Sequence, residues 1–447
     1  MPADPAVMDK NTTSRSDDRA MSNTGANGTG GQGAGGNVTV DGAALWNDIL
    51  ETARFGGTPK GGIRRLTLTE EDRLVRDWFI AACQAVGCTV TYDSMGNQFA
   101  RRPGTDDSLP PITMGSHLDT QPTGGKFDGI IGVLGGLAVL RALHATGHDT
   151  RHPIELINWT NEEGARFAPA MLSSGVFAGV FTEQEALDKT DRAGIRFEDA
   201  LVGIGYRGTE PCGQHPVAAY FELHIEQGPI LEAENKTIGV VTGVQGMRWY
   251  EVTLTGRDSH AGSTPMTMRA DALLATARMI EAVNEVALAH GPDAVGTVGL
   301  IENRPNSRNV VPGEVFFTID LRDPDDAVVE RMEATFRDRA EAIATECGVQ
   351  MILERVWDSP AVHFDPACID AVRRTAGSFG YPARDIVSGA GHDAAYMARI
   401  TPTTMIFVPC AGGLSHNEAE SAESADVAAG ANVLLRAVLD ADARLDA

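Results

Sequence analysis

The apolar positions of the chain fall into short runs that alternate with helical patterns. The runs ITMGS (112–116), IELINW (154–159) and AYFELHI (219–225) are typical of strands, whereas IIGVLGGLAVLRAL (130–143) is typical of a buried helix. The strand pattern returns at TTMIFV (403–408). Short strands that alternate with helices predict an α/β layer with a largely parallel sheet.

The pattern changes near Gly243, where strands and helices begin to follow the order β-α-β-β-α-β of a ferredoxin-like domain. The predicted strands are 249–255, 296–302, 315–321 and 351–357, and the predicted helices are 269–290 and 326–346. The α/β pattern then resumes with a helix at 366–379. We therefore predict a catalytic domain in two parts, 41–243 and 358–447, with a compact α+β domain inserted at 244–357.

The first 40 residues differ from the rest of the chain. They are rich in Ser, Asn, Gly and Asp and end in GANGTGGQGAGG, a composition that cannot bury enough apolar surface to order itself. They contain no apolar segment of the kind found in secretory signals. We predict a disordered tail at 1–40, with order beginning near Asp41, a candidate helix N-cap.

Charge and cysteine content narrow the classes of function. The chain has 447 residues, with 61 Asp+Glu against 37 Lys+Arg and a formal net charge of −24. This balance argues against nucleic acids and anionic membranes as partners, because both are bound by clustered Lys and Arg. Six cysteines lie scattered without a CxxC pair, which predicts free thiols and a cytoplasmic location. No apolar run reaches the roughly 18 residues that a membrane span requires.

Candidate metal ligands begin in the segment GSHLDT. His117 and Asp119 are two residues apart at the end of a predicted strand, so their side chains project to the same side. This arrangement suits a metal-ligand histidine whose ring is fixed by a carboxylate. Asp128, in GGKFDG, directly precedes a predicted helix. It can cap that helix or bridge two metal ions, and taken alone the capping role is favoured.

Further acids and histidines follow other predicted strands. Glu162 and Glu163 come just after the strand 154–159, where α/β folds bind their ligands. Adjacent side chains point in different directions, so one can hold a metal ion while the other transfers protons. His224 lies within YFELHIEQG and His416 within GGLSHNE. Each histidine alone is more often structural, but the set together predicts a two-metal hydrolase site.

Seven motifs, in this order, resemble the hydantoinase/carbamoylase amidase family. They are GSHLDTQPTGGKFDG, NEEGARF, HIEQGPILE, GRDSHAGSTPM, SRNVVPG, SGAGHDA and GGLSHNE. The resemblance covers about residues 41–440. It implies the fold of the di-zinc aminopeptidases and aminoacylases, with the inserted domain serving as a lid and dimerisation domain.

The resemblance also implies a cofactor and its ligands. The cofactor is a pair of divalent metal ions, zinc in the first place, with manganese, cobalt or nickel as alternatives. His117, Asp128 and His224 would hold one ion, and Asp128, Glu163 and His416 would hold the other. The inserted domain would join two copies of the chain into a homodimer.

Catalytic and substrate-binding roles follow from the same resemblance. Glu162 would be the general base, Asp119 would orient His117, and His260 would stabilise the oxyanion. The implied substrate-binding residues are Arg322, Asn309, Gln227 and His392. From the residues alone, a surface salt bridge of Arg322 with Asp320 or Asp323 is an equal alternative to a contact with a substrate carboxylate.

The implied function is metal-dependent hydrolysis of the carbamoyl (ureido) C–N bond of N-carbamoyl amino acids. The substrate would be β-ureidopropionate or an N-carbamoyl-L-α-amino acid, and the products an amino acid, carbon dioxide and ammonia. Allantoate amidohydrolase is the nearest alternative. A dipeptidase or aminoacylase is more remote, because His224 stands where those relatives carry an acid. A non-enzymatic small-molecule binder is disfavoured by the complete ligand set and by Glu162.

Overall fold

The computed structural model of the chain describes residues 38–445. Its α-helices are α1 (Gly42–Thr52), α2 (Glu70–Gln84), α3 (Ile130–Thr146), α4 (Leu172–Phe177), α5 (Glu183–Leu187), α6 (Phe197–Gly203), α7 (Ile230–Ala233), α8 (Ala272–His290), α9 (Asp326–Cys347), α10 (Pro366–Phe379), α11 (Asp393–Met397) and α12 (Ser424–Arg444). The tail predicted at 1–40 lies outside the described residues as far as residue 37. Within the described residues, Asp41 caps α1 as predicted, its side chain accepting from the Ala44 amide.

The strands form a large sheet and a smaller one. They are β1 (Thr89–Tyr92), β2 (Gln98–Arg102), β3 (Ile112–His117), β4 (Ile154–Trp159), β5 (Ala219–Ile225), β6 (Ile238–Val244), β7 (Gly246–Thr255), β8 (Ser259–His260), β9 (Val295–Thr297), β10 (Ile301–Arg304), β11 (Val310–Val311), β12 (Glu314–Asp323), β13 (Gln350–Ser359), β14 (Val362–His363), β15 (Ala383–Ser388) and β16 (Thr403–Val408). Short 3-10 turns cover Met266–Met268 and Ala411–Gly413.

Within residues 38–445 the large sheet has nine strands, in the order β1-β2-β4-β3-β5-β16-β6-β14, with β15 also paired to β6. At its centre β4, β3, β5 and β16 run parallel. The pairs β1–β2, β2–β4, β16–β6 and β14–β6 are antiparallel. The predicted α/β class with a parallel central sheet is confirmed. The carboxyl ends of the four central strands therefore lie at one edge, where α/β folds bind their ligands.

The four central strands are buried along their whole length, which explains why they are continuous apolar runs rather than alternating ones. Helix α3 is buried on nearly all sides, against the sheet and against α1 and α12. It needs glycine where it crosses the sheet, because a Cβ on Gly132 would lie 2.5 Å from the Leu223 carbonyl oxygen. This close packing fixes the start of α3 next to the ends of β3 and β5.

The second sheet is antiparallel, in the order β10-β12-β7-β13, with β9 also paired to β12. Helices α8 and α9 pack against it around a core that includes Val252, Phe317 and Phe336. The single strand predicted at 296–302 is wrong, because the segment forms two strands. Thr297 lies opposite Asp320 and Ile301 lies opposite Phe317. The segment that joins β9 to β10 therefore has one residue more than the facing part of β12 and forms a bulge. The domain boundaries predicted at 243/244 and 357/358 stay a prediction.

Helix α2 carries a buried ion pair. Arg76 Nε donates to Asp72 over 2.9 Å, and neither side chain is more than 1% exposed. Because removing Arg76 leaves a buried carboxylate without its cation, we expect Arg76→Met to lower the free energy of unfolding by about 3–5 kcal/mol. Urea denaturation measures this change. Arg73→Met is the matched control, since Arg73 pairs with Glu70 at the surface of the same helix and should change stability by less than about 1 kcal/mol. Equal losses in the two variants would contradict the prediction.

No helix between residues 38 and 445 combines the length and the apolar composition needed to cross a membrane.

Candidate metal centre

The first part of the site is the end of β3. His117 is its last residue and is 1% exposed. Its Nδ1–H donates to the Asp119 carbonyl oxygen over 2.9 Å, which directs Nε2 towards Asp128 and Glu162. Burial lowers the pKa of His117 to about 4, so the ring is neutral at pH 7 and Nε2 carries a lone pair. A neutral imidazole with this hydrogen bond is the usual form of a metal-ligand histidine.

Asp119 contacts the site in two ways. Its backbone carbonyl, rather than its carboxylate, makes the hydrogen bond to His117, because the carboxylate oxygen is 3.7 Å from Nδ1. The carboxylate instead accepts the backbone N–H groups of Glu162 and Glu163, both at 3.3 Å. Burial and the charge of Asp72 raise the pKa of Asp119 to about 7. Asp119 thus joins the ends of β3 and β4, and its predicted role towards His117 stays a prediction.

Asp128 lies at the centre of the site. One carboxylate oxygen is 3.2 Å from His224 Nε2 and 3.8 Å from His117 Nε2, and the other is 3.5 Å from His416 Nε2. Burial alone would raise the pKa of Asp128, but the three neighbouring histidines lower it well below its usual value. The capping role is wrong, because α3 is preceded by Gly129 and receives no side-chain cap. Gly129 has φ 69°, and a Cβ there would lie 2.3 Å from the His117 ring.

Glu162 and Glu163 follow β4 and point apart, as their adjacency predicts. Asn161 adopts φ 63° just before them, an unusual backbone conformation for a residue other than glycine. Glu163 accepts from Gln121 and lies 3.5 Å from His416 Nε2, whereas Glu162 lies 3.5 Å from His117 Nε2. Burial raises both pKa values well above normal, with a further rise from Asp393 at Glu162 and from Asp128 at Glu163.

Three histidines complete the centre. His224 is 1% exposed, and its Nδ1–H donates to the Ile225 carbonyl oxygen over 2.9 Å. The ring of His392 packs edge-on against that of His224, with 4.5 Å between the centroids, and burial lowers the pKa of His392 well below normal. The His416 side chain is 52% exposed and its φ is 54°. The site is therefore closed on the His224 side and open at His416.

These side chains form groups with the chemistry of a divalent-metal site. The ligand atoms within each group lie within 4.8 Å of one another. The groups are His117–Asp128–His224, Asp128–Glu163–His416 and Glu222–His224–His392. Imidazole nitrogens and carboxylate oxygens are ligands that zinc and related ions prefer. The first two groups match the two predicted ligand sets and share Asp128, although the assignment of each ligand stays a prediction.

The predicted substrate-binding residues Gln227 and Arg322 differ in how directly they contact the centre. Gln227 is close to the centre, since its Nε2 donates to Asp128 over 2.8 Å. Arg322 is held by Asp320 through Nε and Nη2, so the salt bridge weighed from the sequence is present. Its Nη1 donates to the Gly389 carbonyl oxygen over 2.9 Å, in the loop that leads to His392.

His260 and Asn309 lie together and outside the centre. The backbone N–H of Ala261, the residue after His260, donates to the Asn309 carbonyl oxygen over 2.9 Å. His260 and Asn309 are both exposed. Within the described part of the chain, no recorded contact joins either of them to the metal-ligand groups. Their predicted roles stay predictions.

Two functional neighbours of Asp128 were not predicted from the sequence. Glu420 is 5% exposed and accepts the backbone N–H groups of Phe127 and Asp128 at 2.9 and 3.1 Å. Burial and the charge of Asp128 raise its pKa to about 7. Ser415 Oγ donates to Asp128 over 2.5 Å. Both lie in GGLSHNEAE beside His416, but nothing in that pattern separates Glu420 from the neighbouring Glu418, which does not contact Asp128 among the hydrogen bonds of the described residues.

Comparisons with known proteins decide the family. The sequence profile of peptidase family M20/M25/M40 matches residues 113–440. The chain is 52% identical over 406 residues to the N-carbamoyl-L-amino-acid amidohydrolase of Rhizobium meliloti. The matched region covers 91% of this chain and 98% of that protein. The chain belongs to the M20/M25/M40 peptidase family. It is therefore a hydrolase that acts on C–N bonds.

Solved structures place the chain in one branch of this family. It is 56% identical to a hydantoinase/carbamoylase family amidase from Burkholderia multivorans, with a TM-score of 0.89 over 90% of this chain and 98% of that one. By sequence, it is also 34% identical to the allantoate amidohydrolase of Bacillus subtilis strain 168, over 87% of this chain and 95% of that protein. The resemblance to the hydantoinase/carbamoylase amidases, predicted from the motifs, is confirmed.

Proposed function

We propose that the chain hydrolyses the carbamoyl C–N bond of N-carbamoyl-L-amino acids to an amino acid, carbon dioxide and ammonia. The observation that carries this proposal is the pair of ligand groups joined through Asp128, with Glu162 beside them and outside both. The 52% identity to the amidohydrolase of Rhizobium meliloti supports the choice of substrate.

The proposed cofactor is a pair of zinc ions. The proposed ligands are His117, Asp128 and His224 for one ion and Asp128, Glu163 and His416 for the other. Bound there, the ions would supply a Lewis acid and lower the pKa of water to about 7. The donor set fits such a pair, because the carboxyl groups of Glu163, Asp128 and the neighbouring Glu162 are buried together, where bound cations would stabilise their ionised forms.

Glu162 is the proposed general base. It takes the proton of the attacking water and passes it to the leaving nitrogen of the carbamoyl group. Its position supports this role, because Oε2 is 3.5 Å from His117 Nε2 while the side chain belongs to neither ligand group.

Substrate binding is proposed to use both parts of the molecule. Arg322 holds the substrate carboxylate together with an Asn309 that, like His260, comes from the other subunit of a homodimer, while Gln227 and His392 line the pocket. His260 stabilises the oxyanion, and we propose that it acts at the metal centre of the other subunit of a homodimer. The exposure of His260 supports this arrangement, as does the exposed apolar surface nearby, where Met266 and Met268 are 70% and 62% exposed. A cytoplasmic location belongs to the same proposal and is supported by six free cysteines.

Metal removal and a panel of substrates test the proposal together. We expect a chelator to lower ammonia release from N-carbamoyl-L-amino acids by more than about 10²-fold, because the ions supply both the Lewis acid and the activated water. Zinc should restore the activity, and dialysis without chelator is the control. The panel also contains N-carbamoyl-β-alanine and allantoate.

The compounds that the enzyme hydrolyses identify its substrate class. Turnover of N-carbamoyl-L-amino acids supports the proposal. Turnover of allantoate alone would replace the substrate while keeping the site. Absence of turnover on every compound by zinc-loaded protein would contradict the proposed function.

A further inference from the structure

A fully buried arginine lies behind the metal centre. Arg65, between α1 and α2, is 0% exposed. Burial lowers its pKa to about 10, so it still carries a positive charge at pH 7. Among the described residues its Nη2 has no hydrogen-bond partner. A buried cation is costly and disfavours folding unless other contacts compensate for it, so the contacts that Arg65 makes are informative.

Those contacts enclose one short turn. Arg65 Nε donates to the Leu118 carbonyl oxygen over 2.7 Å. The backbone N–H of Arg65 donates to Thr120 Oγ1, and the Thr120 amide donates to the Arg65 carbonyl oxygen, both over 2.9 Å. On its other side, Arg65 Nη1 donates to the carbonyl oxygens of Thr52 and Phe55 at the end of α1. Arg65 therefore ties residues 118–120 to a fixed helix end.

The enclosed turn carries Asp119, which contacts three residues of the centre. The Asp119 carbonyl accepts from the His117 ring, and its carboxylate accepts the backbone N–H groups of Glu162 and Glu163. His117 belongs to one ligand group and Glu163 to the other, and Glu162 is the proposed base. A displacement of this single turn would move residues of both groups at once.

We propose that Arg65 is a positioning residue that holds the 118–120 turn and, through Asp119, sets the geometry of His117, Glu162 and Glu163. The inference rests on the ligand set proposed above. Arg65 touches none of these three side chains, so its effect is indirect. Residues behind metal ligands alter metal affinity by about 10–100-fold when they are changed.

The test compares Arg65 with a matched arginine elsewhere in the protein. Arg102 is the last residue of β2 and pairs with Ile154, the first residue of β4. His117 pairs with Trp159 at the opposite end of β4. It is only partly buried, but like Arg65 it donates to a carbonyl oxygen (His148, 2.6 Å) and has one nitrogen without a partner among the described residues. The variants are Arg65→Met, Arg65→Lys, Arg102→Met and Arg102→Lys. The zinc affinity of each is measured by competition with a chelator, and kcat and KM are measured separately.

We expect Arg65→Met to bind zinc about 10–100-fold more weakly than the wild type. Its kcat should fall while KM changes by less than about twofold, because the proposed carboxylate ligands lie elsewhere. Arg65→Lys should recover part of the zinc affinity, since lysine keeps the charge and one donor for Leu118. Arg102→Met should lose stability but bind zinc like the wild type.

Equal zinc affinity in Arg65→Met and Arg102→Met would overturn the proposal and leave Arg65 a purely structural residue. If Arg65→Met does not fold, the lysine pair decides, and equal affinity in Arg65→Lys and Arg102→Lys would overturn it. Zinc affinity is measured without substrate. A wild-type protein that binds zinc but hydrolyses no compound would therefore contradict the proposed function without affecting this comparison.

Discussion

Glu162→Gln is expected to lower kcat by about 10²–10⁴-fold while the protein keeps its metal content. Glutamine has nearly the same shape as glutamate but cannot take a proton from water at pH 7. Glu162 lies outside both ligand groups, and its backbone N–H still donates to Asp119 in the variant. The measurements are kcat on the best N-carbamoyl amino acid and metal content by elemental analysis.

Glu163→Gln is the matched control, because it changes the adjacent residue in the same way. Glu163 belongs to the group with Asp128 and His416, so this variant should lose metal from one site as well as activity. The two variants together separate proton transfer from metal binding. A Glu162→Gln enzyme with kcat within about tenfold of the wild type would exclude Glu162 as the base.

The central part of the fold could be predicted because it is buried on both faces. The strands at 154–159, 219–225 and 403–408 have the bounds expected from their apolar runs. Strands β1 and β15 were not predicted, because they are partly exposed and their side chains are mixed. The bulge between β9 and β10 depends on the register of pairing with β12, which the sequence of one strand does not specify.

In the site, too, some residues could be predicted from the sequence and others could not. His117, Glu162 and His224 could be predicted because each lies at or just beyond the carboxyl end of a buried strand. Glu420 reaches the Phe127 amide across 293 residues of sequence, so only the folded chain brings it to the centre. The link from Asp119 to Glu162 and Glu163 runs through backbone N–H groups, which any residue provides and no motif records.

Arg322→Ala is expected to raise KM for N-carbamoyl amino acids by about 30-fold or more, since truncating one partner of a desolvated charge pair costs about 2–5 kcal/mol, at about 1.4 kcal/mol for each factor of ten. Arginine has five N–H donors. Asp320 occupies Nε–H and one on Nη2, and the Gly389 carbonyl occupies one on Nη1. One N–H therefore remains on each terminal nitrogen, the pair that can bind a carboxylate through two hydrogen bonds. Asp320 thus orients the guanidinium instead of competing for it.

Kinetics with a pair of substrates distinguishes this role from a structural one. The second substrate carries a carboxamide in place of the carboxylate, and wild type and Arg322→Ala should hydrolyse it with similar KM. Arg248→Ala is the control variant, because Arg248 lies opposite Leu321 on the neighbouring strand β7 and pairs with Glu333 of α9. It should leave KM for the carboxylate substrate unchanged. If Arg322→Ala also leaves that KM unchanged, Arg322 serves only to join β12 to the loop at Gly389, and the substrate carboxylate must be bound elsewhere.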